Sequence, residues 1–319
     1  MKIINAAPLN INGLAMTIGK FEALHYGHRH LIKLVSEYAQ ANNMPSAVLS
    51  FMPNPIKVLH NADYKPLFTP AEQAILLHSV DYWISHPFDA AFAQLSPREF
   101  CQWLYKEMRC RALFVGEEFR FGRGREGTPN MLQQFSNDFY IYGEHSEILN
   151  VVTVPNQNSG IEKVSTSKIR ALLEKVQMLD AAALLTRQFF LIGNVKVGRQ
   201  LGRTIGFPTV NLHPPKDKFL PPDGVYVTTT RIAEFAKNFF ESKPYHSITN
   251  IGTNPTVHAT NPRKVETHIF DFDSDLYGQN IMIEFHHYLR PQHTFENLEA
   301  LKQQIAQDVQ MARGFFSPK

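Results

Sequence analysis

The 319-residue chain predicts an α/β fold in two parts: a parallel-sheet domain over residues 1–186, then an antiparallel β-barrel domain with a closing helix over 187–319. Three observations carry this. Strand-like and helix-like segments alternate through the first half, as in a parallel sheet with helices on its faces. After about residue 187 strand signals follow one another, punctuated by Gly, Pro, Asn and Asp, as in an antiparallel sheet or small barrel. The length suits about two domains at roughly 150 residues each.

In the first half, Leu14 to Ile18 is a short apolar run ending at Gly19. His28 to Ala39 carries Leu31, Ile32, Leu34, Val35 and Tyr38 at helical spacing. Ala47 to Phe51 is strand-like and stops at the turn Pro53-Asn54-Pro55. Pro97 to Glu107 reads as a helix with Ser96 as N-cap and proline at its first position. Ala112 to Val115, before Gly116, and Val151 to Val154 are strands, and Ser167 to Leu173 and Asp180 to Leu185 are helices. Beyond a boundary near Thr186 the expected strands are Phe189–Val197, Val225–Thr230, Ser247–Ile251, Val265–Phe272 and Ile281–Tyr288. The closing helix runs from Leu298 to Arg313, with Leu298, Leu301, Ile305 and Val309 toward a core.

Composition narrows the class. Hydrophobic residues make up 44% and charged residues 19%, ordinary for a globular protein. No apolar run of about 18 residues predicts a membrane span, and the first residues do not read as a signal peptide. Two cysteines, Cys101 and Cys110, form neither a disulfide framework nor a zinc site, so a reducing cytoplasm is expected. A net charge of +3 with no dense Lys/Arg cluster gives no expectation of nucleic-acid binding. The sequence carries no signal that sets an oligomeric state.

Two regions carry chemistry. In the first, a strand runs into Gly19, a short loop, and His25-x-Gly27-His28 at the start of a helix. A helix N-terminus offers unpaired N–H groups and partial positive charge to phosphate, and two histidines add donors. The same spacing fits capping or surface histidines. Ser165-Thr166-Ser167 leading to Lys168 and Arg170 places hydroxyls and cations where a triphosphate could be gripped, or equally forms an N-cap. No Walker-type loop occurs.

The second region is Gly193 to Leu212, with Gly198, Gly202, Arg203, Gly206 and Pro208-Thr209-Val210-Asn211. Glycines let backbone N–H groups point at an anion. Thr209 and Asn211 are hard oxygen donors two residues apart, on one side if extended, which suits Mg²⁺. A plain glycine-rich turn is the alternative. Farther on, Glu266 and His268 share a strand face opposite Thr267. Taken alone, Glu266 reads as an exposed strand carboxylate.

Taken together, these residues resemble the bacterial bifunctional riboflavin kinase/FMN adenylyltransferases. His25-x-Gly27-His28 with Ser165-Thr166-Ser167-Lys168-Ile169-Arg170 is similar to the signatures of the HxGH nucleotidyltransferases, as are Leu95–Phe100 and Phe114–Gly122 to stretches of the flavin branch. Gly206-Phe207-Pro208-Thr209-Val210-Asn211 is similar to the riboflavin kinase signature, and Leu220–Tyr226, Asn250–Thr256, Val265–Ile269, Asp275–Gly278, Leu289-Arg290, Phe295 and the helix to Asp308 continue it in register. There are departures. Lys20, Glu22 and Ala23 stand where the family carries Asn, Asp and Gly; Asn54 replaces a histidine, Glu118 an aspartate and Asn254 an arginine.

The resemblance implies a Rossmann-like nucleotidyltransferase domain followed by a riboflavin kinase barrel. It implies riboflavin, FMN, FAD and ATP as substrates and products, Mg²⁺ as cofactor and ATP as co-substrate. It makes Glu266, His25 and His28 catalytic. Gly19, Gly27, Ser165, Thr166, Ser167, Arg170, Gly198, Gly202, Arg203 and Gly206 become phosphate-binding, Arg290 and Asn54 flavin-binding, and Thr209 and Asn211 metal ligands. The alternative is a riboflavin kinase whose N-terminal domain only binds or regulates.

Overall fold

The computed structural model describes residues 1–4, 11–60, 64–141, 148–155, 164–198, 201–232, 239–253 and 263–317. They form two compact units, one from Met1–Tyr64 and Gln73–Val164, the other from Lys65–Glu72 and Ser165–Lys319. The division by compactness therefore falls ahead of Thr186, and a short segment from the first half belongs with the second unit.

The first unit holds six parallel strands: β1 (Lys2–Ile4), β2 (Leu14–Ile18), β3 (Ser46–Met52), β4 (Tyr82–Pro87), β5 (Cys110–Gly116) and β6 (Asn150–Val154), in spatial order β1-β4-β3-β2-β5-β6. All five residues of β2 are buried, as expected for a central strand covered on both faces. The chain builds outward from β2 through β3 to β4, then returns to its other side with β5. The order thus reverses between β2 and β5, where open α/β sheets bind ligands at the carboxyl ends of their strands.

Its helices are α1 (Tyr26–Ala41), α2 (Pro55–His60), α4 (Pro97–Lys106) and α5 (Pro129–Ile141); α3 (Pro70–Leu76) lies at the point of division. The helix start read at Ser96 is a full capping box: Ser96 Oγ accepts from Glu99 N, and Glu99 Oε2 accepts from Ser96 N at 2.8 Å. One core layer joins Leu14, Met16, Leu49 and Leu113 to Phe100, Leu104 and Leu132; the other sets Ala15, Ala112 and Phe114 against Val35 and Ala39 of α1.

The second unit opens with α6 (Thr166–Glu174) and α7 (Met178–Leu185). Its strands are β7 (Phe189–Asn194), β8 (Val210–Leu212), β9 (Gly224–Ile232), β10 (Pro244–Gly252), β11 (Lys264–Ile269) and β12 (Asn280–Arg290), ordered β7-β12-β9-β10-β11-β8 and antiparallel throughout. Lys196, just past β7, bridges Asn211 of β8 (N to O 2.9 Å) and joins the two edges. The short α8 (Leu201–Thr204) lies in the intervening loop.

The closing helix α9 spans Leu298–Phe316. It packs Ala312, Ile305 and Val309 on Val225, Val227, Ile248 and Phe270, the outer face of β9–β11. The inner face carries Tyr226, Ile251, Val265, Ile283, Phe285, Phe189 and Leu191, all buried. The segment Lys65–Glu72 is tied in by a buried pair. Lys218 Nζ lies 2.7 Å from Glu72 Oε2, and each side chain is 1% exposed. Glu72 also accepts from Thr69 N (2.6 Å) and Ile192 N (2.8 Å), while Lys218 donates to the Leu67 carbonyl.

Candidate active sites

In the first unit a cavity of about 240 Å³ opens where the strand order reverses. Ile18 and Gly19 line it from the end of β2, Gly116 from β5 and Val154 from β6, with Tyr26, Gly27 and His28 at the start of α1. His25 is the N-cap residue of α1, in extended conformation, and makes no capping hydrogen bond with its side chain. Instead its ring stacks on His28, centroids 3.8 Å apart and 16° from parallel, and Phe21 packs on His28 at 4.9 Å. The sixteen-residue α1 has no acidic residue in its own first turn, and its N-terminus carries partial positive charge. The structure thus brings together Gly19, His25, Gly27 and His28, and adds Phe21, Glu118 and Phe119, which line the same cavity.

The loop that departs from the family motif carries its unusual backbone at Phe21 (φ 43°) and Leu24 (φ 44°). Ala23, fully buried, is not one of the left-handed residues, so the missing glycine is not needed for backbone conformation. Partial desolvation pulls the Lys20 pKa down; Glu22 opposes that shift and Arg125 adds to it.

Asn54 does not line this cavity. Its Oδ1 accepts from Ile56 N at 3.0 Å and starts α2. Ser165, Thr166, Ser167 and Arg170 lie in the second unit. Ser165 is the N-cap of α6, accepting from Lys168 N at 3.2 Å. Arg170 donates to the Lys65 carbonyl at 2.6 Å and lies 4.9 Å from the Phe219 ring.

In the barrel the ladder places Glu266 of β11 opposite Asn211 of β8 on one side and Asn250 of β10 on the other. Directly paired residues share a face, with Cβ atoms about 5 Å apart. Glu266, Asn211 and Asn250 therefore form a polar row on the outer face. The loop at Gly198 lies against it, since a Cβ at Gly198 would overlap the Asn211 amide. His268 Nδ1 lies 2.8 Å from the Pro208 carbonyl and its ring meets Phe207 edge-on, holding the Pro-Thr-x-Asn segment to β11. Burial lowers the His268 pKa, against the opposing pull of that carbonyl.

A second cavity, about 360 Å³, is lined by Arg203, Thr209, Val210, Thr267, Asp273, Asp275 and Tyr277 among others. Thr209 and Arg203 thus face this cavity, whereas Glu266 and Asn211 do not line it. Gly206 (φ 88°) makes the left-handed turn between α8 and Pro208, and a Cβ at Gly202 would strike the Phe207 carbonyl. Arg290 is committed elsewhere. Its guanidinium grips Asp308 of α9 through Nε (2.9 Å) and Nη2 (2.7 Å), with Asp308 1% exposed. Arg199, Gln200, Asn254, Pro255 and Thr256 of the matched motifs lie outside the described residues.

The donor chemistry fits Mg²⁺. A hydroxyl and an amide oxygen are hard ligands, and this ion keeps several sites for phosphate and water. No group of three or more His, Cys, Asp or Glu able to hold a metal occurs among the described residues. None of their helices is long and apolar enough to cross a membrane.

Comparison with known proteins matches the FAD synthetase family model over residues 8–168 and the riboflavin kinase model over 185–316. The bifunctional riboflavin kinase/FMN adenylyltransferase of Escherichia coli (strain K12) is 34% identical over 95% of this chain and 93% of its own. The chain belongs to this bifunctional family. The family's Bacillus subtilis (strain 168) member is 30% identical over 95% of this chain and 92% of its own. A solved structure described as a macrolide-efflux protein from Streptococcus pneumoniae shares the fold, with TM-score 0.81 at 24% identity over 98% of both chains.

The structure adds cavity walls and a buried ion pair that sequence alone missed. Val154 of one cavity and Asp273 and Ser274 of the other stand in no motif, whereas Asp275 and Tyr277 belong to the matched stretch Asp275–Gly278; the strand-end rule and the barrel's alternation were the available signals. The Lys218–Glu72 tie had no signal at all, because its partners are far apart in sequence.

Proposed function

We propose that this chain phosphorylates riboflavin to FMN with ATP and then adenylylates FMN to FAD, releasing pyrophosphate. The observation that carries it is the presence, in one chain, of both family matches with the polar row Glu266–Asn211 and the stacked pair His25–His28 in place. The kinase-only alternative loses ground, because the FAD synthetase match runs through the altered loop at Lys20–Ala23.

In the kinase reaction Glu266 orients the ribityl 5′-hydroxyl and takes its proton as oxygen attacks the γ-phosphorus and ADP leaves. Asn211 and Thr209 would hold Mg²⁺, which when bound neutralises charge on the phosphates. Gly198, Gly202 and Gly206 keep the phosphate loop's backbone close, and Arg203 supplies a cation at the neighbouring cavity. Arg290 serves the flavin side through Asp308, by holding α9 to β12.

In adenylyl transfer the FMN phosphate is already a nucleophile and needs no base. Its oxygen bonds the α-phosphorus while the α–β bridging bond breaks. His25, His28 and the α1 N-terminus stabilise the charge that builds there, with Gly19 and Gly27 leaving backbone room. Ser165, Thr166, Ser167 and Arg170 are proposed as triphosphate ligands, and Asn54 as a flavin contact, on their motifs alone. The cytoplasm, where ATP and reduced thiols prevail, suits this chemistry.

Purified full-length protein incubated with riboflavin, ATP and Mg²⁺ should yield both FMN and FAD on chromatography. FMN without FAD, even with FMN supplied, would overturn the adenylyltransferase half.

A further inference from the structure

The inner face of the barrel is not wholly apolar. Five fully buried hydroxyl residues stand there: Thr228 and Thr230 on β9, Ser247 and Thr249 on β10, and Thr267 on β11. They form one unbroken hydrogen-bonded chain. Thr230 to Ser247 is 3.0 Å, Ser247 to Thr228 2.8 Å, Thr228 to Thr249 2.9 Å and Thr249 to Thr267 2.8 Å. Two links are direct ladder pairs, Thr228 with Ser247 and Thr249 with Thr267; the other two run diagonally. Ile283 and Phe285 of β12 pair with Thr230 and Thr228 from the other side.

Valine would fill the same volume at each threonine. A buried hydroxyl left without a partner costs about 1–3 kcal/mol, so this arrangement is more exacting than an aliphatic one. It holds three strands side by side through bonds of defined length and direction, not through packing alone.

The chain ends at Thr267, next to Glu266 and on the opposite face of β11. Glu266 is the outer-face residue paired with Asn211 and Asn250. Thr267 also lines the cavity that holds Arg203 and Thr209. We propose that the hydroxyl chain Thr230–Ser247–Thr228–Thr249–Thr267 is a positioning device of the kinase site, which fixes the lateral placement of β11 and so the aim of Glu266 at the riboflavin hydroxyl. This rests on the role given to Glu266 above. Thr249 is the positioning residue at its centre. Thr249→Val keeps the shape and removes one hydroxyl, leaving Thr228 and Thr267 each short of a bond.

The test compares Thr249→Val with Thr249→Ser in the full-length protein. The serine variant keeps the hydroxyl but deletes a buried methyl, so it lowers Tm. Positioning predicts that Thr249→Val lowers kcat for riboflavin phosphorylation about tenfold, the scale of a small misplacement of a reacting group, with both KM values within about twofold. Thr249→Ser should hold kcat within about threefold despite its lower Tm, and adenylylation of supplied FMN should be unchanged in both. Wild-type kcat in Thr249→Val, or losses that follow Tm in the two variants alike, would overturn the proposal. Glu266→Gln run in parallel separates the two claims: full activity there removes the base, whereas an inactive Glu266→Gln beside a fully active Thr249→Val removes only the positioning role. If Thr249→Val does not fold, Thr228→Val and Thr228→Ser give the same readout.

Discussion

The proposed phosphate sites of the two units are built in opposite ways. In the first, the reactive groups sit beyond the strands, on the loop after β2 and the first turn of α1. In the second they sit on the strands themselves, with Glu266, Asn211 and Asn250 side by side on three strands, across two ladders. In the proposed first site the parallel sheet is a platform whose strand ends carry the loop and the start of α1, where dipole and backbone N–H groups offer positive charge. The barrel works as a wall whose side-chain alternation is the site. The first proposed site should therefore tolerate changed side chains in its loop, such as Ala23, while the second should depend on strand register, where a one-residue slip turns every side chain to the other face.

The sharpest way to break this comparison is Glu266→Gln. If the barrel wall depends on one carboxylate, FMN formation should fall about 10³-fold, within the range for loss of a positioned base. Adenylylation of supplied FMN should not change. Equal loss of both steps, measured by chromatography of the flavins, would break the division of labour between units.

A stability experiment comes next. Glu72→Ala leaves Lys218 buried without its partner, and breaking such a pair costs about 3–5 kcal/mol. Because Glu72 belongs with the second unit despite its place in the first half of the sequence, the loss should appear in the unfolding and kinase activity of the barrel. If adenylyl transfer alone suffers, the placement of Lys65–Glu72 is wrong. His28→Ala follows, with an expected loss of about 10²-fold in FMN-to-FAD conversion and none in riboflavin phosphorylation. A wild-type rate would leave the α1 N-terminus and backbone to carry the charge alone.

How much of this was legible depended on where each element's signal lies. β2, between Leu14 and Ile18, and the cap at Ser96 were read directly, because an apolar run ending in glycine and a Ser-Pro start are local features. The barrel strands were found from alternation and punctuation, though Val265–Phe272 ends at Ile269, where Asp271 turns with φ 53°. β1, β4 and β8 were missed. Tyr82–Pro87 mixes Ser and His into a strand with only Trp83 and Ile84 buried, and Val210–Leu212 is three residues long, too short for a period to show. Arg290 was read as a ligand contact because only the folded chain brings Asp308 to its guanidinium. The five-hydroxyl chain was equally invisible, since each threonine looks like an ordinary strand former until three strands meet.

The smallest expected effect is on pH dependence, and it sharpens the contrast between the units. Burial lowers the pKa of His268 and His286 in the barrel and of His86 in the first unit. A histidine whose folded pKa lies below its unfolded value near 6.5 binds a proton more readily when unfolded. Its neutral form therefore supports the fold fully above that pH, and the support is lost as pH falls below it. The barrel, with two such groups, should lose Tm between pH 7.5 and 5.5. His286 accounts for part of this: its ring packs on Phe316 and its Nε2 meets Thr229 Oγ1 at 2.9 Å, with Glu284, Arg231 and His246 around it. His286→Asn should flatten the barrel's pH profile, read as Tm from a probe of that unit. An unchanged slope would place the proton uptake on His268, where the Pro208 carbonyl partly compensates burial.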